Sequence, residues 1–145
     1  MRIIVFLLFC TFLMLSCQKP STDGQLLLQD IVRLETRASV NEIVLQNKYI
    51  DLDTKSAVNP NNLSDVERAE AKAAIYRFYK RVRVEDGLYV TDLKTADEIN
   101  ISPGLFSLFK DNLEEMNAYI RQQQAKGEKV EIFQLNDAYF DHLLK

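Results

Sequence analysis

The chain is poor in the residues that metal sites and thiol chemistry require. Its 145 residues include one histidine, two cysteines and no tryptophan. Metal sites usually need several His, Cys or carboxylate ligands that converge on one point. Since His142 is the single imidazole, the sequence predicts no metal centre, and nothing in it indicates another cofactor.

Glycine and an excess of basic charge are also lacking, which excludes further classes of function. The four glycines form neither a phosphate-binding loop nor the Gly-x-Ser-x-Gly turn of serine hydrolases. The formal net charge of −3 gives no electrostatic reason to expect binding to nucleic acid. We therefore expect no nucleic-acid partner and no nucleophilic serine.

Paired carboxylates are the remaining enzymatic pattern. They occur at Glu85-Asp86, Asp97-Glu98 and Glu114-Glu115. Adjacent side chains on a helix point about 100° apart, so such pairs fit a solvated surface better than an acid/base pair. A carboxylate-dependent hydrolase, which would need two acids held at a defined separation, is the most remote of the functions considered, and we expect a non-enzymatic protein.

An apolar run dominates the N-terminus. Arg2 precedes apolar residues from Ile3 to Leu15, and the chain turns polar after Cys17. A basic start followed by a short apolar segment is typical of a secretory signal. The run is too short for a membrane span, which needs about 20 residues. The pattern predicts a cleavable signal peptide at residues 1–16.

The four residues Met14, Leu15, Ser16 and Cys17 resemble the lipobox of bacterial lipoproteins. The resemblance covers only this N-terminal signal. It implies cleavage between Ser16 and Cys17, acylation of Cys17 with chains such as palmitate, and a lipid anchor in the cell envelope, with the outer membrane as the expected site. More than one acyl chain makes such anchoring stable. The alternative is an ordinary secretory signal, or an uncleaved anchor, with a coincidental cysteine.

Residues 17–24 indicate a lipidated N-terminus and tether, and residues 25–145 have a length suited to one domain. From Gln25 to Leu52, apolar residues recur at spacings of four and three, as in a heptad seam that contains Asn41. We expect one long helix over this segment. The alternative is two helices separated by a break near Arg37–Ser39. The seam either packs on the chain's own helices, which we favour and which predicts a monomer, or mediates coiled self-association through Leu27, Ile31, Leu34 and Leu45.

The next predicted helix begins after a loop at residues 53–62. Ser64 and Glu67 match a capping box, and the helical pattern continues to about Arg81. Its polar side is narrow and includes Arg77, while apolar residues cover much of the remaining circumference. A helix that is apolar on two sides is usually covered on two sides. This segment is therefore predicted to be the central helix.

Local patterns also predict the remaining elements. Asp86-Gly87 between two alternating runs indicates a β-hairpin, and Ser102-Pro103 begins a helix that Lys126-Gly127 ends. Lys129–Leu135 alternates like a strand, and Asn136 or its neighbour caps a short last helix. The expected fold is helix-rich α+β, with three main helices, a small antiparallel sheet made of the hairpin plus one strand, and a short C-terminal helix.

Two asparagines within apolar patterns are the candidate site residues. Asn112 lies in the middle of an apolar arc of the third helix, and Asn41 lies in the seam of the first. A buried amide must find hydrogen-bond partners. These side chains are predicted either to hold one helix to another or to supply the polar groups of a ligand pocket, together with some of the six tyrosines.

The absence of catalytic patterns and the lipobox together favour one function over two others. We expect a lipid-anchored, non-catalytic envelope protein that binds another protein as an accessory or assembly factor. The alternative is a module that binds a small apolar or glycan ligand, with Asn112 and tyrosines in its pocket. A deep apolar cavity beside Asn112 would favour this second function, whereas a solid core with one exposed apolar patch would favour the first.

Overall fold

The computed structural model describes residues 31–33, 35–52 and 62–145. Within these ranges the chain forms a helix-rich α+β domain, which confirms the predicted fold class. The lipobox with Cys17, and also Leu27 and Leu34 of the proposed seam, lie outside the described residues. The elements in chain order are α1 (Val40–Gln46), α2 (Asp65–Tyr79), β1 (Val82–Glu85), β2 (Leu88–Thr91), a 3₁₀ helix (Ala96–Ile99), α3 (Pro103–Ala125) and α4 (Asp137–Leu143).

Helix α2 begins at the predicted capping box and is the central helix. Ser64 Oγ accepts a hydrogen bond from the Glu67 N–H at 3.3 Å, and Glu67 Oε2 accepts one from the Ser64 N–H at 2.8 Å. Hydrogen bonding to Ser64 lowers the pKa of the Glu67 carboxyl. The predicted cover on more than one side is confirmed beyond the exposed first turn of α2, because the most deeply buried residues lie on several sides of the helix. They are Ala69, Ala73, Ala74, Ile75 and Phe78.

Arg77, which the sequence places on the polar side of α2, is only 8% exposed, so this side is not a solvent-facing surface at Arg77. Its Nη2 donates to the Ile43 carbonyl at 2.8 Å, and its Nη1 donates to the carbonyls of Lys48 at 2.8 Å, Asn100 at 3.3 Å and Ile99 at 3.4 Å. The carbonyls at a helix C-terminus lack partners within the helix, and the Ile43 carbonyl of α1 is one of them. We call this arginine and its four acceptors the Arg77 clamp.

The predicted hairpin is confirmed. Strands β1 and β2 are antiparallel, and Glu85 pairs with Leu88 at the closed end. Asp86 and Gly87 form the turn with φ of 51° and 78°. A two-residue turn of this kind needs positive φ at both positions, and glycine adopts such values without a steric cost.

The predicted third strand is wrong. Residues 128–136, which we call the strap, form no strand pairing. The Tyr89 N–H donates to Asn117 Oδ1 at 2.8 Å, and Asn117 Nδ2 donates to the Tyr89 carbonyl at 2.7 Å. The side chain of α3 thus takes the backbone groups of β2 that a third strand would need. The alternation in the strap reflects half-burial of Val130 and Ile132 on one side.

The prediction of one long helix from Gln25 to Leu52 is also wrong, whereas the alternative of a break near Arg37–Ser39 is confirmed. The chain is not helical at residues 35–39, and Ser39 Oγ caps α1 by accepting from the Glu42 N–H at 3.3 Å. Because α1 starts anew at this cap, the seam does not continue on one face. Asn41 is exposed and is therefore not a polar core contact, and Leu45 is 74% exposed.

Helices α2 and α3 share the centre of the core. Phe78 is fully buried, and its ring centroid lies 5.3 Å from that of Phe109 and 6.0 Å from that of Phe106. The start of α3 is joined to the N-terminal segment by a parallel bridge between Ile50 and Ile101. This arrangement fixes α3, which supplies one wall of the candidate site.

Candidate functional site

A cavity of about 480 Å³ lies between α3, α4, β2 and the strap. Its volume falls within the range of roughly 300–1,000 Å³ that is typical of small-molecule sites. Most of the side chains around it are apolar or aromatic. The lining residues are Val32, Arg33, Tyr79, Tyr89, Asn112, Met116, Tyr119, Ile120, Val130, Glu131, Ile132, Phe133, Leu135, Tyr139 and His142.

A row of aromatic rings fixes the wall formed by α4 and the strap. The Phe133 and Tyr139 rings meet edge to face with centroids 5.5 Å apart, and Tyr139 meets Phe140 at 5.3 Å. Phe140 in turn contacts Tyr76 of α2 at 5.6 Å. Asn136, one of the two residues predicted as the cap, caps α4 by accepting from the Tyr139 N–H at 3.1 Å. The cap and the ring contacts together hold Tyr139 at the cavity.

Asn112 and Tyr79 are the most deeply buried polar side chains of the lining. Asn112 is 3% exposed and Tyr79 is 5% exposed. The Tyr79 hydroxyl donates to Asn112 Oδ1 at 2.7 Å. Asn112 Nδ2 has no hydrogen-bond partner in the part of the chain that the structure describes. The amide therefore brings two unused N–H donors to the wall of the cavity.

Tyr89 connects the hairpin to both α3 and the strap. Its backbone is held by Asn117, and its hydroxyl donates to the Phe133 carbonyl at 2.9 Å. This hydroxyl contact is the side-chain hydrogen bond that ties the middle of the strap to the body of the domain. The strap therefore closes one side of the cavity with few backbone hydrogen bonds of its own.

The inner part of the cavity is electrically neutral. Burial raises the pKa of Tyr139 to about 12, and it raises the pKa values of Tyr79 and Tyr89 as well. All three phenols therefore keep their protons at neutral pH, where even an unperturbed tyrosine, with a pKa of about 10, is uncharged. The lining residues with charged side chains, Arg33 and Glu131, and the imidazole of His142 are exposed and lie at the rim.

The structure brings only some of the predicted site residues together. Asn112 joins α3 to α2 through its hydrogen bond with Tyr79, as the structural interpretation requires, and it also lies in the cavity wall, as the ligand-pocket interpretation requires. Asn41 lies on the surface of α1. Sequence reasoning missed Tyr89, Tyr139 and Asn117. The one usable signal was the position of Asn117, four residues after the buried Leu113 on α3.

The paired carboxylates do not meet at the cavity. Of the six acids in the three predicted pairs, none is among the described residues that line it. Glu98 instead accepts from the N–H groups of Lys94 and Thr95 at 2.7 and 2.8 Å, and these hydrogen bonds lower the pKa of its carboxyl. Glu85 pairs with Arg83 at 2.6 Å on the exposed hairpin. These acids have local structural partners.

Two further properties concern the described residues alone. Their His, Cys, Asp and Glu side chains form no group of three that would hold a metal ion. No helix within the described ranges combines the length and the apolar character needed to cross a membrane.

Comparisons with known proteins assign no family to this chain. A scan against protein-family models finds no match, and neither the curated proteins nor the solved structures contain a significant match to the chain.

Proposed function

We propose that this chain is a binding protein for a small, mainly apolar ligand, held in the cavity beside Asn112. The observation that carries the proposal is a cavity of about 480 Å³ whose wall contains a buried amide with unused donors. The sequence alone favours a protein partner over a small ligand. Because a cavity lies beside Asn112, we favour the small ligand over the protein partner.

The composition of the wall supports an apolar ligand more than a glycan. Apart from the rim, the polar groups at the cavity are tyrosine hydroxyls and one amide. A glycan carries many hydroxyls, and each one buried without a partner costs free energy. Apolar surface gains roughly 25 cal/mol for each Å² removed from water. Aromatic rings and aliphatic chains are therefore the groups that this cavity stabilises best.

The test is direct binding of an apolar probe to the full chain held in lipid nanodiscs. 1,1-Diphenylethylene has two aromatic rings and no charge, and equilibrium dialysis against protein-free discs corrects for its uptake by lipid. We expect saturable binding to one site per chain. Binding that does not saturate would contradict the proposal.

A matched pair of strap variants locates the bound probe. Val130 lines the cavity, so Val130→Trp fills part of the space and should abolish binding. Gln134 is exposed and is not among the lining residues, so Gln134→Trp adds the same side chain to the strap and should leave binding unchanged. Equal binding by both variants would place the probe elsewhere and overturn the proposal.

We further propose that the domain is anchored to the bacterial envelope, with the outer membrane favoured, through acylated Cys17. The support is the lipobox of Met14 to Cys17 at the end of a short apolar run. Cys17→Ala should abolish labelling by a radioactive fatty acid and leave unprocessed precursor. Normal labelling of this variant would contradict the anchor.

A protein-binding role is the second candidate, and two exposed side chains favour it. Leu45 is 74% exposed and Tyr49 is 55% exposed at the end of α1. If these residues bind an envelope protein, copies of the lipidated chain carrying Leu45→Glu and Tyr49→Glu should lose that protein on co-purification. If they instead bind a second copy, light scattering should show association of the wild type alone.

A further inference from the structure

Asn112 differs from the other buried amide of α3 in the way its hydrogen bonds are used. Asn117 Oδ1 accepts from the Tyr89 N–H at 2.8 Å, and Asn117 Nδ2 donates to the Tyr89 carbonyl at 2.7 Å. Asn112 Oδ1 accepts from the Tyr79 hydroxyl at 2.7 Å, while its Nδ2 has no partner among the described residues. Both hydrogen-bonding groups of Asn117 have partners, whereas only the oxygen of Asn112 has one among the described residues.

The unused half of Asn112 is a buried donor on a residue of the cavity wall. Asn112 is 3% exposed and is a lining residue, so the fold removes its N–H groups from bulk water within the wall of the cavity. An unpaired buried donor is unfavourable, and native proteins rarely keep one without a use. A ligand oxygen that accepts from Nδ2 would remove this cost.

The surroundings of Asn112 determine the charge that such an oxygen can carry. The nearest polar partner is the Tyr79 hydroxyl, which remains protonated because burial raises its pKa. The basic lining residue Arg33 is exposed at the rim, as is the acidic Glu131. A buried carboxylate beside Asn112 would thus have no cation in contact with it, and an unpaired buried charge is strongly unfavourable. A neutral oxygen has no such cost.

We propose that the cavity selects uncharged ligands whose carbonyl-type oxygen accepts a hydrogen bond from Asn112 Nδ2, with the apolar part of the ligand against the tyrosine and strap side chains. This inference rests on the proposed function and names its ligand class as ketones, esters and amides with an aromatic or aliphatic body. Tyr79 orients the amide by holding its oxygen. Asn112 supplies the recognition.

The test compares three probes of similar shape on the full chain in lipid nanodiscs. Benzophenone presents a neutral carbonyl oxygen, 1,1-diphenylethylene replaces that oxygen by a methylene group, and diphenylacetate carries an anionic carboxylate. A hydrogen bond to an otherwise unpaired buried donor should make benzophenone bind about tenfold more tightly than 1,1-diphenylethylene. Diphenylacetate should bind more weakly than benzophenone.

A double variant shows whether Asn112 is the source of that preference. Tyr79→Phe together with Asn112→Leu removes both hydrogen-bonding partners, which avoids leaving a new unpaired group. We expect this variant to lose the tenfold preference for benzophenone over the hydrocarbon, and this ratio is the readout because both substituted residues line the cavity. Asn117 stays intact in this variant, so the attachment of β2 to α3 is kept.

The outcomes separate the two proposals. If none of the three probes binds saturably, the proposed function itself fails. If the hydrocarbon binds but benzophenone binds no better, or if diphenylacetate binds best, the ligand class assigned here is overturned while the binding function stands. A preference for benzophenone that persists in the double variant would overturn the role of Asn112.

Discussion

Helix α2 separates two regions that treat buried polar groups in opposite ways. On one side, Arg77 donates to four carbonyls contributed by α1, the segment after it and the 3₁₀ helix. On the other side, Tyr79 donates to an amide whose own donors have no partner among the described residues, beside a cavity of about 480 Å³. The two residues are two positions apart in the sequence, so one helix carries both regions.

The difference suits two separate roles, with the clamp region as structural support and the cavity region as the proposed binding site. In the clamp region a cation is matched by backbone carbonyls, which lock three segments to α2. In the cavity region the walls are held by aromatic contacts and by the Asn117 attachment, while Asn112 Nδ2 has no partner among the described residues. A binding site needs side chains held in place by their surroundings and free at the face that meets the ligand. The clamp region provides the rigid support that such a site requires.

The largest effect should come from breaking the clamp. Arg77→Met removes two donors that bind carbonyls at 2.8 Å and leaves the acceptors without a partner. Hydrogen bonds to charged groups contribute about 1.5–3 kcal/mol each, so we expect a loss of roughly 3–5 kcal/mol in the free energy of unfolding. Urea unfolding of the full chain measures it. Arg77→Lys should be intermediate, because one ammonium cannot reproduce the planar fork.

The two buried asparagines of α3 should respond differently to the same substitution. Asn117→Leu leaves the N–H and carbonyl of Tyr89 unpaired, which should cost about 2–4 kcal/mol. Asn112→Leu removes unpaired donors but leaves one buried group, the Tyr79 hydroxyl, without its acceptor, so its cost should be about 1–2 kcal/mol. Equal losses in urea unfolding would show that both amides are structural.

Alkaline pH should weaken the cavity region selectively. Tyr139 has a pKa of about 12 in the folded chain because of its burial, above the value near 10 expected for an unfolded chain. The contribution of protonated Tyr139 to the free energy of unfolding is therefore fully present below pH 10 and is lost as the pH rises through 12. The loss should reach about 2–3 kcal/mol, and the raised pKa of Tyr79 adds to it in the same direction.

Single tyrosine substitutions check the assignment of this alkaline loss. Tyr139→Phe should reduce the drop in unfolding free energy between pH 9 and pH 12. Tyr49→Phe, at a residue that is 55% exposed, is the control and should leave the drop unchanged. An unchanged pH profile for Tyr139→Phe would contradict the buried, neutral cavity.

The smallest effect should come from freeing the strap. Tyr89→Phe removes the hydroxyl that donates to the Phe133 carbonyl at 2.9 Å. One neutral hydrogen bond contributes about 0.5–1.5 kcal/mol, so global stability should change little. Amide hydrogen exchange should nevertheless speed up in residues 128–136 and not in α2. Faster exchange throughout the domain would show that the strap is an integral part of the structural support.

The parts of the fold that depend on neighbouring residues could be predicted from the sequence. Asp86-Gly87 determines its own turn, and Ser64 and Ser102 cap their helices through N–H groups three residues away. Asn112 could be singled out because it interrupts an apolar arc. These features depend on spacings within one element, which a single sequence contains.

The features that depend on distant segments could not be predicted. Arg77 resembles a surface residue until the carbonyls of Ile43 and Lys48 are brought to it. The strap alternates like a strand, yet Asn117 occupies the edge of β2 where it would pair. The cavity is space that side chains leave unfilled, and no local pattern encodes such a space.

The Arg77 clamp also has a consequence for the kinetics of folding. Its four acceptors lie 22 to 34 residues away along the chain, on both sides of α2. The chain must close two long loops before any donor of this guanidinium finds its carbonyl, and contacts across long loops form slowly. We expect the clamp to be absent from the transition state, so that it acts mainly by slowing unfolding. The clamp then sets the lifetime of the folded domain more than the speed of its formation.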